Sequence, residues 1–312
     1  MKKNIIIRKY ATVLVFTVSA IVFMPKACTK DPPMEPPMEP EITMTTQASK
    51  VEIWVGITLS KGSDNFAIDW GDGEISNIDN YSFNTSSPHI DEDVYKFSHI
   101  YSGVSKHHIT ITGDNIEGLG CASNQLTDLN VRRYPNLSSL ICSYNKLTAL
   151  DVSNTELIWL ECAYNLLTTI DVSNCIALDE LRVTNCPLIN LDVSSCAALS
   201  LLYVSDCQLA ALDVSKNTAL SRLYCDGNKL TASALNDLFR TLRTLPGGKN
   251  ALPGYWIYIR SNPGTDYCDF SIAEEKGWMF GRASQKEVWN SMKNCILFFK
   301  TNNNNIIIND KL

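Results

Sequence analysis

The chain is poor in histidine and lacks the common catalytic and metal-binding signatures. Its 312 residues include four histidines, His89, His99, His107 and His108, all in one N-terminal region. No H-E-x-x-H, G-x-S-x-G, Walker A or C-x-x-C spacing occurs, so the usual signatures of zinc proteases, serine hydrolases, phosphate-loop enzymes and dithiol redox centres are missing. His107 and His108 are adjacent, point to opposite faces of a strand and cannot share a metal; a solvent role at a strand edge is expected for the histidines. Asp69 and Asp72 make one short D-x-x-D, which a hairpin turn explains better than calcium. No catalysis, cofactor or metal is expected.

Apolar length is also scarce. The run from Ala11 to Met24 is 14 residues long, below the roughly 20 that a bilayer-spanning helix needs. It follows Lys2, Lys3, Arg8 and Lys9, which together read as a secretory signal over residues 1–27. Without that segment the chain carries 22 Lys and Arg against 33 Asp and Glu, a net of −11. Such a surface repels nucleic acid and anionic membrane. The stretch at residues 28–48, with Pro-Pro-Met-Glu written twice, holds little that builds a core and is expected to be an extended polyproline tether.

What the sequence has in abundance is repetition. Leucines recur at Leu126, Leu147, Leu167, Leu188, Leu209 and Leu230, in steps of 21, 20, 21, 21 and 21 residues. Each period reads L-x-x-L-x-(C/V)-x-x-(N/C)-x-L followed by x-x-L-(D/N)-V, as in Leu157, Leu160, Cys162 and Asn165. A fixed period of this length means stacked units, none of which can bury its apolar face alone. Alternation turns Leu140 and Cys142 inward and Ile141 outward, giving one short strand per unit. The Asn or Cys that follows can satisfy backbone groups that stacking hides from water. Ser-, Asn- and Asp-rich stretches such as Asp151–Asn154 suit an extended or single-turn outer wall.

This pattern is the leucine-rich repeat signature. The resemblance implies a mostly β fold, a right-handed solenoid of short 21-residue repeats over 114–230. After Leu230 a helix with Leu235, Leu238, Phe239 and Leu242 on one face, capped by Thr231 or Ser233, leads to a returning repeat at Trp256–Asn262. A closing helix over Ser271–Trp278 completes a C-terminal cap at 231–279, and residues 280–312 are expected to be a poorly ordered tail.

Upstream, Ile68-Asp69-Trp70-Gly71-Asp72-Gly73 and His99-Ile100-Tyr101 resemble the W-x-F-G-D-G turn and H-x-Y segment of polycystic-kidney-disease-type domains. That resemblance implies a small β-sandwich module at 49–113, with residues 75–96 lacking clear strands, that spaces or caps the repeats. Cys28, directly after Ala27, resembles the lipid-modified cysteine of bacterial lipoproteins; an ordinary cleaved signal followed by a stray cysteine is the alternative. Signal, cysteine, sandwich and repeats together resemble the leucine-rich repeat surface lipoproteins of gut Gram-negative anaerobes. This implies an exported outer-membrane lipoprotein, held to the membrane through its lipid alone, that binds a protein or glycan at the cell surface. An accessory lipoprotein docking another outer-membrane subunit is the other reading.

Eleven cysteines would suit disulfides in an exported chain. Yet Cys121, Cys142, Cys162 and Cys225 fill the inward position that Val183 and Val204 fill elsewhere, and Cys186 and Cys207 take the Asn position. Buried free thiols are expected, with Cys175 and Cys196 the pair best placed to bridge.

Solenoid curvature would present the outward strand positions as a concave face. These are Trp159, Glu161, Tyr164, Arg182, Leu201, Tyr203, Arg222, Tyr224, Trp256, Tyr258 and Arg260, expected to be exposed, with Tyr203, Tyr224 and Tyr258 in one column. Aromatic and Arg side chains dominate binding hot spots, and strand preference alone does not account for the accompanying arginines.

Overall fold

The computed structural model describes residues 41–47, 52–59, 66–77, 94–103, 105–251 and 254–281. Cys28, most of the expected tether and the tail beyond residue 281 lie outside this set.

Fifteen strands and two helices build the described chain. The strands are β1 (Glu41–Thr46), β2 (Glu52–Leu59), β3 (Phe66–Asp69), β4 (Ile75–Asn77), β5 (Val94–Ile100), β6 (His107–Gly113), β7 (Ile116–Gly120), β8 (Leu126–Asn130), β9 (Ser139–Ile141), β10 (Trp159–Glu161), β11 (Glu180–Arg182), β12 (Leu201–Tyr203), β13 (Arg222–Tyr224), β14 (Trp256–Tyr258) and β15 (Met279–Phe280). The helices are α1 (Ala232–Thr241) and α2 (Ser271–Glu274).

One sheet runs β4-β3-β6-β1-β8 and the other β15-β14-β13-β12-β11-β10-β9-β7-β2-β5. In the larger sheet β7 and β9 to β15 are parallel neighbours, one strand per repeat. Register follows the repeat, with Leu140, Leu160, Leu181, Leu202, Leu223 and Ile257 opposite one another in turn. All six are fully buried. At about 25 cal/mol per Å² of apolar surface, a leucine column of this kind is the main force holding one unit on the next.

A column of polar side chains runs beside the leucines. Asn145 Nδ2 donates to Cys121 O at 3.0 Å, and Asn165 Nδ2 to Cys142 O at 3.0 Å. Asn228 reaches Val204 O at 2.8 Å and Asn262 reaches Cys225 O at 2.9 Å. Each amide thus ties its own turn to a carbonyl of the preceding unit, and its Oδ1 accepts buried backbone N–H groups, for example Leu147 N at 3.0 Å for Asn165. Cys186 and Cys207 stand in the same position, their thiols directed at Cys162 O (3.5 Å) and Val183 O (3.4 Å). Backbone N–H groups of Asn165 and Leu167 donate to Cys186, and those of Cys186 and Leu188 to Cys207. A thiol therefore copies the amide with weaker bonds.

On the outer wall the same substitution recurs, with Cys175, Cys196 and Asn217 donating to Val152 O, Val172 O and Val193 O. The nine cysteines described are free and buried. Cys175 and Cys196 each make a separate bond to a carbonyl of the preceding unit rather than a bridge.

The N-terminal region departs from expectation in four places. First, the stretch taken as tether ends early, because Glu41–Thr46 is a strand. Ile42 and Met44 enter the core, and Thr46 Oγ1 donates to Asn124 O at 2.6 Å. Second, residues 75–96 hold β4 and the start of β5. Third, β2 and β7 pair antiparallel, so the repeat sheet continues without a break into the module. β8, inside the first repeat, pairs with β1 in the smaller sheet. One core cluster accordingly runs from Ile42 to Trp278, and the first repeat has no open apolar end. Fourth, His99 is buried rather than at a solvent edge. Its Nε2 lies 2.7 Å from Asp72 Oδ2, its ring stacks on Trp70 and meets Tyr101 edge-on, and Tyr101 donates to Trp70 O at 2.6 Å. Burial works against the Asp72 carboxylate, but the hydrogen bonds from His99 and Glu74 N outweigh it and hold the group below its ordinary value.

At the far end Thr231 caps α1 by accepting from Ala234 N, and Leu235, Leu238, Phe239 and Leu242 are buried. β15 adds a strand where the tail was expected to begin: Met279 and Phe280 pair with β14.

Candidate ligand-binding face

Two columns of side chains leave the repeat sheet on the side opposite the leucines. The first, in register order, is Ser139, Trp159, Glu180, Leu201, Arg222 and Trp256. The second is Ile141, Glu161, Arg182, Tyr203, Tyr224 and Tyr258.

Pointing outward does not make a side chain accessible. In the second column Ile141, Glu161, Arg182 and Tyr203 are 1%, 0%, 6% and 5% exposed, so the expectation that Glu161, Arg182 and Tyr203 are exposed is corrected. Larger neighbours close over them. Trp159 and Tyr144 lie on Ile141 and Ala122. Tyr144 and Tyr164 stack at 4.2 Å and 11°. Both sit in the left-handed turn after their strands, at φ +57° and +55°, so Tyr164 belongs to a turn column and not to the strand. Glu161 Oε1 accepts from Ser143 Oγ at 3.1 Å and is opposite Arg182 in the register. Arg182 pairs with Glu180, and its guanidinium sits 4.5 Å above the Tyr203 ring. In this middle section each charged side chain has a partner, Arg182 with Glu180 and Glu161 with Ser143, while Trp159 Nε1 is buried with no hydrogen bond.

Toward β14 the face opens. Tyr203, Tyr224 and Tyr258 form a continuous stack, with centroids 4.3 and 4.1 Å apart and planes 7° and 6° from parallel. Spacing and tilt come from the parallel register, which sets identical residues about one strand spacing apart. Their phenols hydrogen-bond along the stack. Burial raises the Tyr203 and Tyr224 phenols above their ordinary value, so they remain neutral hydroxyls. The Tyr203 end is covered by Arg182, and the Tyr258 ring is covered by Gly281, where any Cβ would lie 2.0 Å from the ring. Tyr224, Tyr258, Trp256 and Trp159 are half-buried, and Arg222 and Arg260 are exposed.

The structure therefore divides the sequence candidates. Trp256, Arg222, Tyr224 and Tyr258 are paired in register on the last two repeats and none of them is buried, and the exposed Arg260 follows Tyr258 by two residues. Glu161, Arg182 and Tyr203 lie beneath the surface and support it. Trp159 and Tyr164 stand apart, toward the first repeats. Sequence reasoning missed Tyr144, whose position offers no strand signal. It also missed Asp226, which accepts from Arg260 N at 2.8 Å and from Ser205 Oγ at 3.3 Å. Burial raises the Asp226 carboxyl above its ordinary value. Among the described residues no group of three or more His, Cys, Asp or Glu could hold a metal ion, and no helix is long and apolar enough to cross a membrane.

The chain is similar in part to several solved structures. It is similar to the functional domain of InlJ from Listeria monocytogenes, which is described as including a cysteine ladder: identity is 35% over 52% of this chain and 38% of that one, with a TM-score of 0.42. A leucine-rich repeat protein of Leptospira interrogans is 20% identical over 52% of this chain and 36% of its own, with a TM-score of 0.34. The internalin inlF of Listeria monocytogenes is 21% identical over 48% of each chain, also at 0.34. This chain thus spans less than half the length of each of these three. No family model matches it, and no curated protein does.

Proposed function

We propose that this chain is a non-catalytic cell-surface recognition protein, a leucine-rich repeat solenoid with a small N-terminal β-sandwich, exported and anchored by a lipid on Cys28. Its ligand docks on the concave, outward face of the repeat sheet, at the end formed by β13 and β14. The observation that carries this reading is that Trp256, Arg222, Tyr224 and Tyr258 are paired in register and unburied, with the two tyrosines stacked and the exposed Arg260 two residues after Tyr258. Aromatic and Arg side chains held in fixed positions lose little entropy on binding and dominate interface energies.

The test is an array of extracellular proteins and glycans probed with the full chain and with two double variants. Arg222→Ala with Trp256→Ala is expected to weaken capture at least tenfold, whereas Ser194→Ala with Lys216→Ala, on the outer wall, leaves it unchanged. Equal loss in both variants, or in neither, moves the site elsewhere.

A further inference from the structure

The tyrosine stack fixes what kind of ligand the face can take. A sugar ring lies flat on an aromatic face, but these faces are already used. Tyr224 is sandwiched between its two neighbours, Tyr203 carries Arg182 on one side, and Gly281 closes over Tyr258. The hydroxyls of Tyr224 and Tyr258 donate within the stack, so what the stack offers a ligand is its ring edges, the positive rim of the aromatic quadrupole, to which a carboxylate is drawn.

Charge points the same way. Arg222, on β13, and Arg260, in the turn two residues after β14, are exposed, and among the described residues neither makes an ion pair. The nearby carboxylate of Asp226 is occupied from within by Arg260 N and Ser205 Oγ. The chain as a whole carries −6, so most of its surface repels an acidic partner, and these two guanidinium groups flanking the phenols are where one would be accepted.

Resting on the reading of this face as the binding site, we propose that its ligand is an acidic polypeptide segment, whose carboxylates pair with Arg222 and Arg260 across the edges of Tyr224 and Tyr258.

The test uses the full chain in mild detergent and a fluorescein-labelled ten-residue poly-glutamate peptide, read by anisotropy at 50 mM salt. The wild type binds the peptide, and binding falls at least tenfold in 0.5 M salt. Arg222→Glu with Arg260→Glu loses binding at least tenfold, and Arg222→Gln with Arg260→Gln does so too if the reversal disturbs folding. Lys216→Glu with Lys249→Glu, equal in charge change but placed elsewhere, binds as wild type does. No binding of the peptide, binding that survives loss of both arginines, or equal loss in the Lys216 and Lys249 variant overturns the proposal. If poly-glutamate fails while the Arg222 and Trp256 variant still loses an array partner, the acidic ligand is wrong and the face stands. If both fail, the face itself is wrong.

Discussion

Replacing Asn165 by alanine probes the bonds that fasten one repeat to the next. Asn165 is 3% exposed. Its Nδ2 donates to Cys142 O and Cys162 O, both at 3.0 Å, and its Oδ1 accepts from Leu147 N at 3.0 Å. Alanine leaves these backbone groups buried with no side chain to meet them. Each orphaned group costs about 1–3 kcal/mol. Two left unsatisfied after relaxation give a loss of about 2–5 kcal/mol, a large share of the roughly 5–15 kcal/mol that holds a domain folded. The contacts of Cys186 and Cys207 add a second condition. A thiol there donates to one carbonyl and accepts from two N–H groups, so Asn165→Cys should recover roughly half of the loss. Urea denaturation followed by circular dichroism measures all three proteins. An Asn165→Ala loss below about 1 kcal/mol, or a cysteine variant no better than alanine, would refute the idea that these side chains join the repeats.

Leu160→Ala, in a central repeat with a fully buried leucine on either side, should cost about 2–5 kcal/mol by the same assay, and a loss below about 1 would contradict its inward register. Tyr203 is buried and stacked, so Tyr203→Ala should cost about 2–4 kcal/mol, whereas Arg260→Ala should stay within about 0.5; similar values for the two would mean that the stack adds nothing. Burial pushes Cys121 and Cys207 up to about 12 and Cys186 and Cys196 up to about 11 from an ordinary 9.0. A raised folded value means the stability is complete below pH 9 and is lost above it, because unfolded thiols ionise first. The urea midpoint should therefore fall between pH 8.5 and 10.5 by more in wild type than in Cys121→Val with Cys207→Asn, and parallel profiles would count against the thiols.

The leucine column, the Asn and Cys positions and the helix at Thr231 were legible in the sequence because each rests on local spacing. What escaped was set by neighbours in space. Alternation showed that Glu161, Arg182 and Tyr203 point away from the leucines, but not that Trp159, Tyr144 and Leu201 crowd the same face. Glu41–Thr46 reads as the end of a Pro-Glu stretch until β6 and β8 supply partners on both sides. His99 and Asp72 are 27 residues apart, and no spacing rule joins them. Tyr144 and Tyr164 occupy left-handed turns where Gly, Asn or Asp would have been the visible signal. Of the candidate site, composition picked out the aromatic and Arg positions, and burial then decided which of them a partner could touch.

The most direct test of recognition through the β13–β14 face is site-specific photocrosslinking in cells that produce the chain. A benzophenone side chain is placed at Leu201, opposite Arg222 in the register, in one strain and at Ser215, on the outer wall, in another. The account predicts that the position of Leu201 crosslinks to an extracellular polypeptide rich in Asp and Glu while that of Ser215 does not; crosslinking from Ser215 alone, or equally from both, would contradict it.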